Sequence, residues 1–129
     1  MDAALIDDSR LAGLAGALGG DVAAADRFVA DFVTAWPERW DRVWSAVRSA
    51  DTGELRAVLL SIRSSSSMLG APALAQLATD LLTELERYGA VHPDAVARLL
   101  ETGTAVCRAL GERVRDEAPK DQISSPVSR

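Results

Sequence analysis

The stretch ELRAVLLSIRSSSSMLGAP, Glu54 to Pro72, decides the fold. At about 100° per residue, from the 3.6-residue turn, Leu55, Val58, Leu59, Ile62, Ser65, Ser66 and Leu69 fall within roughly 60° of the direction of Ile62. That stripe is the core face of an amphipathic helix from Glu54 to Leu69. Gly70 stops it, and Pro72, favoured in a first turn, opens the next helix. On the opposite side lie Ala57, Leu60, Ser64 and Ser67, with Leu60 about 160° from Ile62 and with Arg56 and Arg63 along one edge. Single exposed leucines are ordinary. Here, however, small side chains keep the helix surface low around Leu60, so that another protein's helix or loop can approach and bury it.

Outward from this helix, Gly and Pro fall at wide intervals, and Ala, Leu, Glu and Arg dominate between them. No period-2 run of β-branched residues appears, so the chain reads as all-α. Asp8 to Leu18 places Leu11, Leu14, Ala15 and Leu18 on one face and predicts a short N-terminal helix ended by Gly19-Gly20. Asp21 caps a long second helix on which Val22, Ala25, Val29, Phe32, Trp36, Trp40, Val43 and Val47 share a face, with a kink expected at Pro37. After Pro72, Leu74, Leu77, Leu81, Leu82 and Leu85 point inward until Gly89. Asp94 is expected to cap a last helix carrying Val96, Leu99, Leu100, Val106 and Leu110 to about Asp116. The architecture that follows is an antiparallel four-helix bundle with a short additional N-terminal helix. Residues 1–117 form the bundle domain, and residues 118–129, APKDQISSPVSR, form a flexible polar tail.

Composition excludes several function classes. The chain has 129 residues, of which 48% are hydrophobic, enough for one core, and its formal charge of −5 argues against nucleic acid as a ligand. One cysteine, Cys107, cannot form an internal disulfide, and with a single histidine there is no Cys/His cluster for zinc. The opening MDAALIDDSR carries acid where a secretory signal carries basic residues, and no apolar run reaches the ~20 residues that span a bilayer. The expectation is a soluble cytoplasmic protein that does not engage a membrane.

At Leu60 to Ala71 the sequence LSIRSSSSMLGA resembles the histidine phosphotransfer (HPt) signature HxLKGSSxxLGA. Ile62 matches the apolar position, Arg63 the basic one and Ser64 the small one. Ser65 and Ser66 match the serine pair, and Leu69, Gly70 and Ala71 close the motif. LAGLAGALGGD is similar to the family's opening helix, FVADFVTAWPERW to its second helix with an internal Pro, and ALAQLATDLLTELE to the helix after LGA. The resemblance implies a four-helix bundle that displays a histidine to solvent, over which a receiver domain docks to exchange a phosphoryl group between Asp and His. The imidazole nitrogen is the nucleophile, and the basic residue three positions on steadies the phosphoryl charge. In this chain Leu60 stands at the histidine position. Leucine has no lone pair, so phosphotransfer there is excluded.

The implied protein is a degenerate HPt-like module, not an enzyme and without cofactor or metal. It binds a response-regulator receiver domain, or the receiver of a hybrid kinase, through Arg56, Ala57, Leu60, Ser61, Arg63, Ser64 and Ser67. Leu60 is the anchor, the small residues permit close approach and the arginines form a polar rim.

Other readings stay open. A structural helical module would self-associate as a homodimer through its Trp and Leu60 surfaces. Trp36, Trp40 and Trp44, at i, i+4 and i+8, either pack in the core or lend one ring to a docking patch. His92, the only imidazole, lies in the connection before the last helix, where phosphotransfer would have to proceed without a group arranged to activate it. Ser64 to Ser67 offer hydroxyls, but no His, Asp or Glu stands three or four residues from Ser64 or Ser67 to act as a base. The carboxylates Asp7, Asp8, Asp26, Asp31, Asp80, Glu84 and Glu86 lack the Glu-x-x-His pairs of a di-iron bundle and read as solvated faces and caps.

Overall fold

The helix starts follow from side chains that satisfy the first free backbone N–H groups. Asp21 accepts from the N–H of Ala24 at 3.0 Å, and Asp51 accepts from that of Glu54 at 3.0 Å. Pro72 and Pro93 occupy first-turn positions, where a missing N–H costs nothing. The stops are left-handed residues, Gly70 at φ 76° and Gly89 at φ 73°. A computed structural model describes residues 5–117, with side chains to residue 113. Its elements are α1 (Asp8–Ala12), α2 (Leu14–Ala17), α3 (Val22–Ser49), α4 (Thr52–Leu69), α5 (Pro72–Tyr88) and α6 (Pro93–Glu117). The proposed tail at 118–129 lies outside the described residues.

The chain is all-α, and its four long helices form the bundle. Short connections make each neighbour antiparallel: α3 packs on α4, α4 on α5, α5 on α6, and α6 returns to α3. The stripe predicted on α4 is the core face, with Leu55, Val58, Leu59, Ile62, Ser66 and Leu69 buried and Ser65 half-buried. Ser66, the one buried polar side chain among the described residues, donates its hydroxyl to the Ile62 carbonyl. Val96, Leu99, Leu100, Val106 and Leu110 of α6 are likewise buried.

Several local expectations are corrected. The N-terminal helix is broken at Gly13 into α1 and α2. The reason is packing: α1 rests on α4 while α2 rests on α3, so the chain changes direction between them, in a glycine-containing segment of weak helix propensity. Asp94 is not the cap of α6; it lies in the first turn, and its backbone N–H donates to Nδ1 of His92 at 3.1 Å, because Pro93 already takes the first position. Helix α4 begins at Thr52, two residues before the predicted start, because Asp51 is its cap. Val22, expected on the core face, is exposed at the first position of α3. Pro37, where a kink is expected, is exposed and lies within the single helix α3.

The N-terminal segment is pinned to the α4–α5 turn. Asp7 donates its N–H to the Gly70 carbonyl at 2.6 Å, and Arg113 of α6 pairs with Asp8 at 2.7 Å. A Cβ on Gly70 would stand 2.8 Å from Cβ of Arg10 and 2.9 Å from the Asp7 carbonyl oxygen. Gly70→Ala therefore combines left-handed strain with a backbone clash, and it is expected to cost on the order of 1–3 kcal/mol in chemical denaturation. Hydrogen exchange should report faster opening of α1 and α2 than of α4.

Candidate functional site

Helix α4 presents one face to solvent. Arg56, Ala57, Leu60, Ser64 and Ser67 are exposed there, and Leu60 retains 38% of its surface although it sits mid-helix. Met68, exposed to a similar degree, extends the apolar part of the face toward α3. Leu60 is thus bordered by small side chains, as the helical spacing predicts.

The remaining predicted positions lie at the flanks. Arg63 is half-buried on the α5 side, where it lines an open cleft with Ser64, Ser67, Gln76 and Thr79 and with Asp7 and Arg10 at the start of α1. Neither Arg56 nor Arg63 forms an ion pair among the described residues. Ser61 stands apart from the open face. It is half-buried on the α3 side, and its hydroxyl accepts a hydrogen bond from Nη2 of Arg39 at 3.3 Å. The structure therefore brings Ala57, Leu60, Ser64 and Ser67 together in the open, with Arg56 and Arg63 beside them, and covers Ser61 with an α3 arginine.

Arg39 is the residue that sequence reasoning missed. Its guanidinium carbon lies 5.5 Å from the centroid of the Phe32 ring, a cation–π distance, and its Nη1 is buried with no hydrogen-bond partner among the described residues. Burial, and then the neighbouring Arg42 cation, push its pKa below the usual guanidinium value, with Cys107 and Glu38 opposing. Arg42 behaves oppositely: its Nε–H bonds a carboxylate oxygen of Glu54 at 2.7 Å, which raises its pKa despite some burial. Burial pushes the Cys107 thiol up to about 11, so at neutral pH it is a protonated, weakly nucleophilic group.

The tryptophan stripe belongs to the interior. Trp36 is 4% exposed and stacks on Phe32 with ring centroids 5.8 Å apart; its indole N–H donates to Oγ1 of Thr104 on α6 at 3.2 Å. Trp40 and Trp44 are half-buried against the core, and none of the three rings is exposed.

His92 is built into a helix start. Its backbone N–H donates to a Glu84 carboxylate oxygen at 2.7 Å, while its ring accepts from Asp94 at the α5–α6 end of the bundle. Other candidate metal carboxylates also have local duties. Asp7 caps α1, Asp8 pairs with Arg113, and Asp80 accepts from the Gln76 amide at 2.8 Å. Among the described residues no three His, Cys, Asp or Glu side chains converge on a common point. No helix among them is long and apolar enough to cross a membrane.

The Hpt domain family model matches residues 27–118, which takes in most of α3 and all of α4 to α6 and leaves α1 and α2 outside. Among solved structures, the chain is similar to the HPT domain from the Hpt sensor hybrid histidine kinase from Shewanella. The TM-score is 0.69, covering 82% of this chain and 92% of that one, and at 16% identity the likeness is one of fold. A search of curated proteins finds no match.

Proposed function

The chain belongs to the Hpt domain family of phosphorelay signalling, and from that premise we propose that it is a member that binds receivers without accepting phosphate. In this reading a response-regulator receiver, or the receiver of a hybrid kinase, docks on the outer face of α4. The phosphoryl group stays on the receiver's aspartate, because Leu60 offers no nitrogen to form the phosphorus–nitrogen bond. The protein then sequesters the receiver from true phosphotransfer partners or reports its state, and the proposed setting is the cytoplasm that receivers share.

One observation carries the reading. Leu60, which the resemblance to the HPt signature sets at the histidine position, is exposed on a face where its immediate neighbours Ala57, Ser64 and Ser67 are small. Fully burying a leucine contributes about 1.5–3 kcal/mol. With 38% of its surface still open, Leu60 retains only a fraction of that for docking. Affinity must therefore also come from close helix approach and from arginine–carboxylate pairs, which makes Leu60 an anchor within a larger interface.

The test is calorimetric titration against receiver domains from the same organism, with and without a phosphoryl-mimicking fluoride complex. Saturable binding to one receiver is expected. Leu60→Asp should weaken it by roughly 30-fold or more, because it leaves an unpaired carboxylate in the contact. As an exposed substitution it should change bundle stability by no more than about 1 kcal/mol. Unchanged affinity in Leu60→Asp would falsify the patch. Sedimentation of the same two proteins separates the alternative, since a dimer lost on Leu60→Asp would make self-association the purpose of the face.

A further inference from the structure

Arg39 is a cation that its own chain leaves without an ion pair, although the Glu38 carboxylate lies near enough to favour its charge. It emerges from α3 beside the docking face, yet no carboxylate lies within ion-pair distance among the described residues. The one hydrogen bond its guanidinium makes there is the 3.3 Å contact to the neutral hydroxyl of Ser61, and Nη1 is buried without a partner. The nearby Cys107 thiol is protonated at neutral pH and supplies no negative charge. Unpaired buried polar groups are uncommon and costly, and they concentrate where a structure keeps a group for something other than its own stability.

We infer that Arg39 is a carboxylate-binding arm of the α4 docking face, folded against Ser61 in the free protein and available to an acidic partner surface. The inference rests on the receiver-docking reading above and specifies the partner's chemistry. Leu60 is the apolar middle of the face, with Met68 exposed toward α3; Arg56 and Arg63 flank it on the α5 side, and Arg39 flanks it on the α3 side. Among these residues there is no Asp or Glu, and the nearest carboxylate on α4, Glu54, is engaged by Arg42. Asp7 lies in the cleft beside Arg63 but is shared with Arg10, and Glu38 lies near Arg39 without pairing with it, so the three guanidiniums still form a local excess of positive charge on a chain whose net charge is −5. The surface that fits is an apolar pocket with carboxylates on both sides, each able to meet an arginine fork in a two-point contact. Arg39 has a reason to make that exchange. A long bond to a neutral hydroxyl is replaced by a charge-assisted pair, and desolvation and repulsion from Arg42 are relieved when the head moves outward.

Arg39→Met tests this, because methionine keeps an apolar stem over Phe32 and removes the charge. The expected result is a denaturation midpoint equal to or above that of the parent, with receiver affinity weakened by roughly 10-fold or more and a flatter salt dependence. Arg39→Lys should recover the salt dependence and part of the affinity. Ser61→Ala, which releases the arm, should bind as tightly as the parent or more tightly. Affinity and salt dependence unchanged in Arg39→Met would overturn the inference. If Leu60→Asp loses binding in the same series, the docking reading survives that failure. A parent protein that binds no receiver overturns both.

Discussion

Gly103→Ala destabilises the bundle although it replaces a glycine with the best helix former in the middle of α6. A Cβ at this position would stand 1.9 Å from Cζ2 and 2.1 Å from Cη2 of Trp36, inside the indole ring. The helix-propensity gain is about 1 kcal/mol at most. Overpacking against a buried ring costs about 1–3 kcal/mol, and more where the ring has no free rotamer. Trp36 also holds a hydrogen bond to Thr104, which in turn donates to the Leu100 carbonyl, so a displaced indole leaves a polar group unpaired as well. Overpacking wins, and the net loss should be on the order of 1–3 kcal/mol, read in urea denaturation. Trp36→Phe removes the ring atoms in conflict. In that background Gly103→Ala should cost clearly less, and the difference is the coupling between α3 and α6. Equal costs in the two backgrounds would show that the glycine serves something other than the indole.

Leu60→His turns a non-acceptor into an acceptor. The side chain at this position is exposed, Arg63 follows one turn later, and the hydroxyls of Ser64 and Ser67 stand on the same face. With an imidazole there, attack on a receiver's aspartyl phosphate breaks the acyl phosphorus–oxygen bond and forms a phosphorus–nitrogen bond, returning the carboxylate to the receiver. The parent should remain unlabelled when mixed with a phosphorylated receiver, and the variant should acquire label that is lost in acid. Adding His92→Ala to the variant should leave the label in place, since His92 belongs to a helix start at the end of the bundle. A variant that binds the receiver as the parent does but takes no label would mean that position 60 does not face the receiver's aspartate.

The features legible in the sequence are those carried by one helix at a time. Spacing alone put Leu60 on the open side of α4 and Ile62 at the centre of its buried side, and both positions hold in the structure. What spacing cannot convey is which side chain of another helix arrives at a flank. Ser61 looked like a small residue permitting close approach; it is the acceptor for an arginine 22 residues earlier on α3. Gly103 carried a usable signal, because an isolated glycine inside an amphipathic helix costs helix stability and points to a packing reason. The identity of the approaching group, Trp36, needed the packing. The break at Gly13 was hidden for the same reason, since α1 and α2 rest on different long helices and the local pattern favours one continuous element. The His92 cap follows from a detail of order: Pro93 takes the first helical position and leaves Asp94 one residue too late.

The central claim is that this chain holds a receiver without taking its phosphoryl group, and one experiment reads both halves. A receiver carrying radiolabelled aspartyl phosphate is mixed with the protein, the complex is isolated under native conditions, and the label is then assigned to one chain or the other under conditions that preserve acid-labile phosphate. The account predicts that the two proteins travel together with all label on the receiver. Label on this chain, or a receiver set from which none travels with it, would contradict the account.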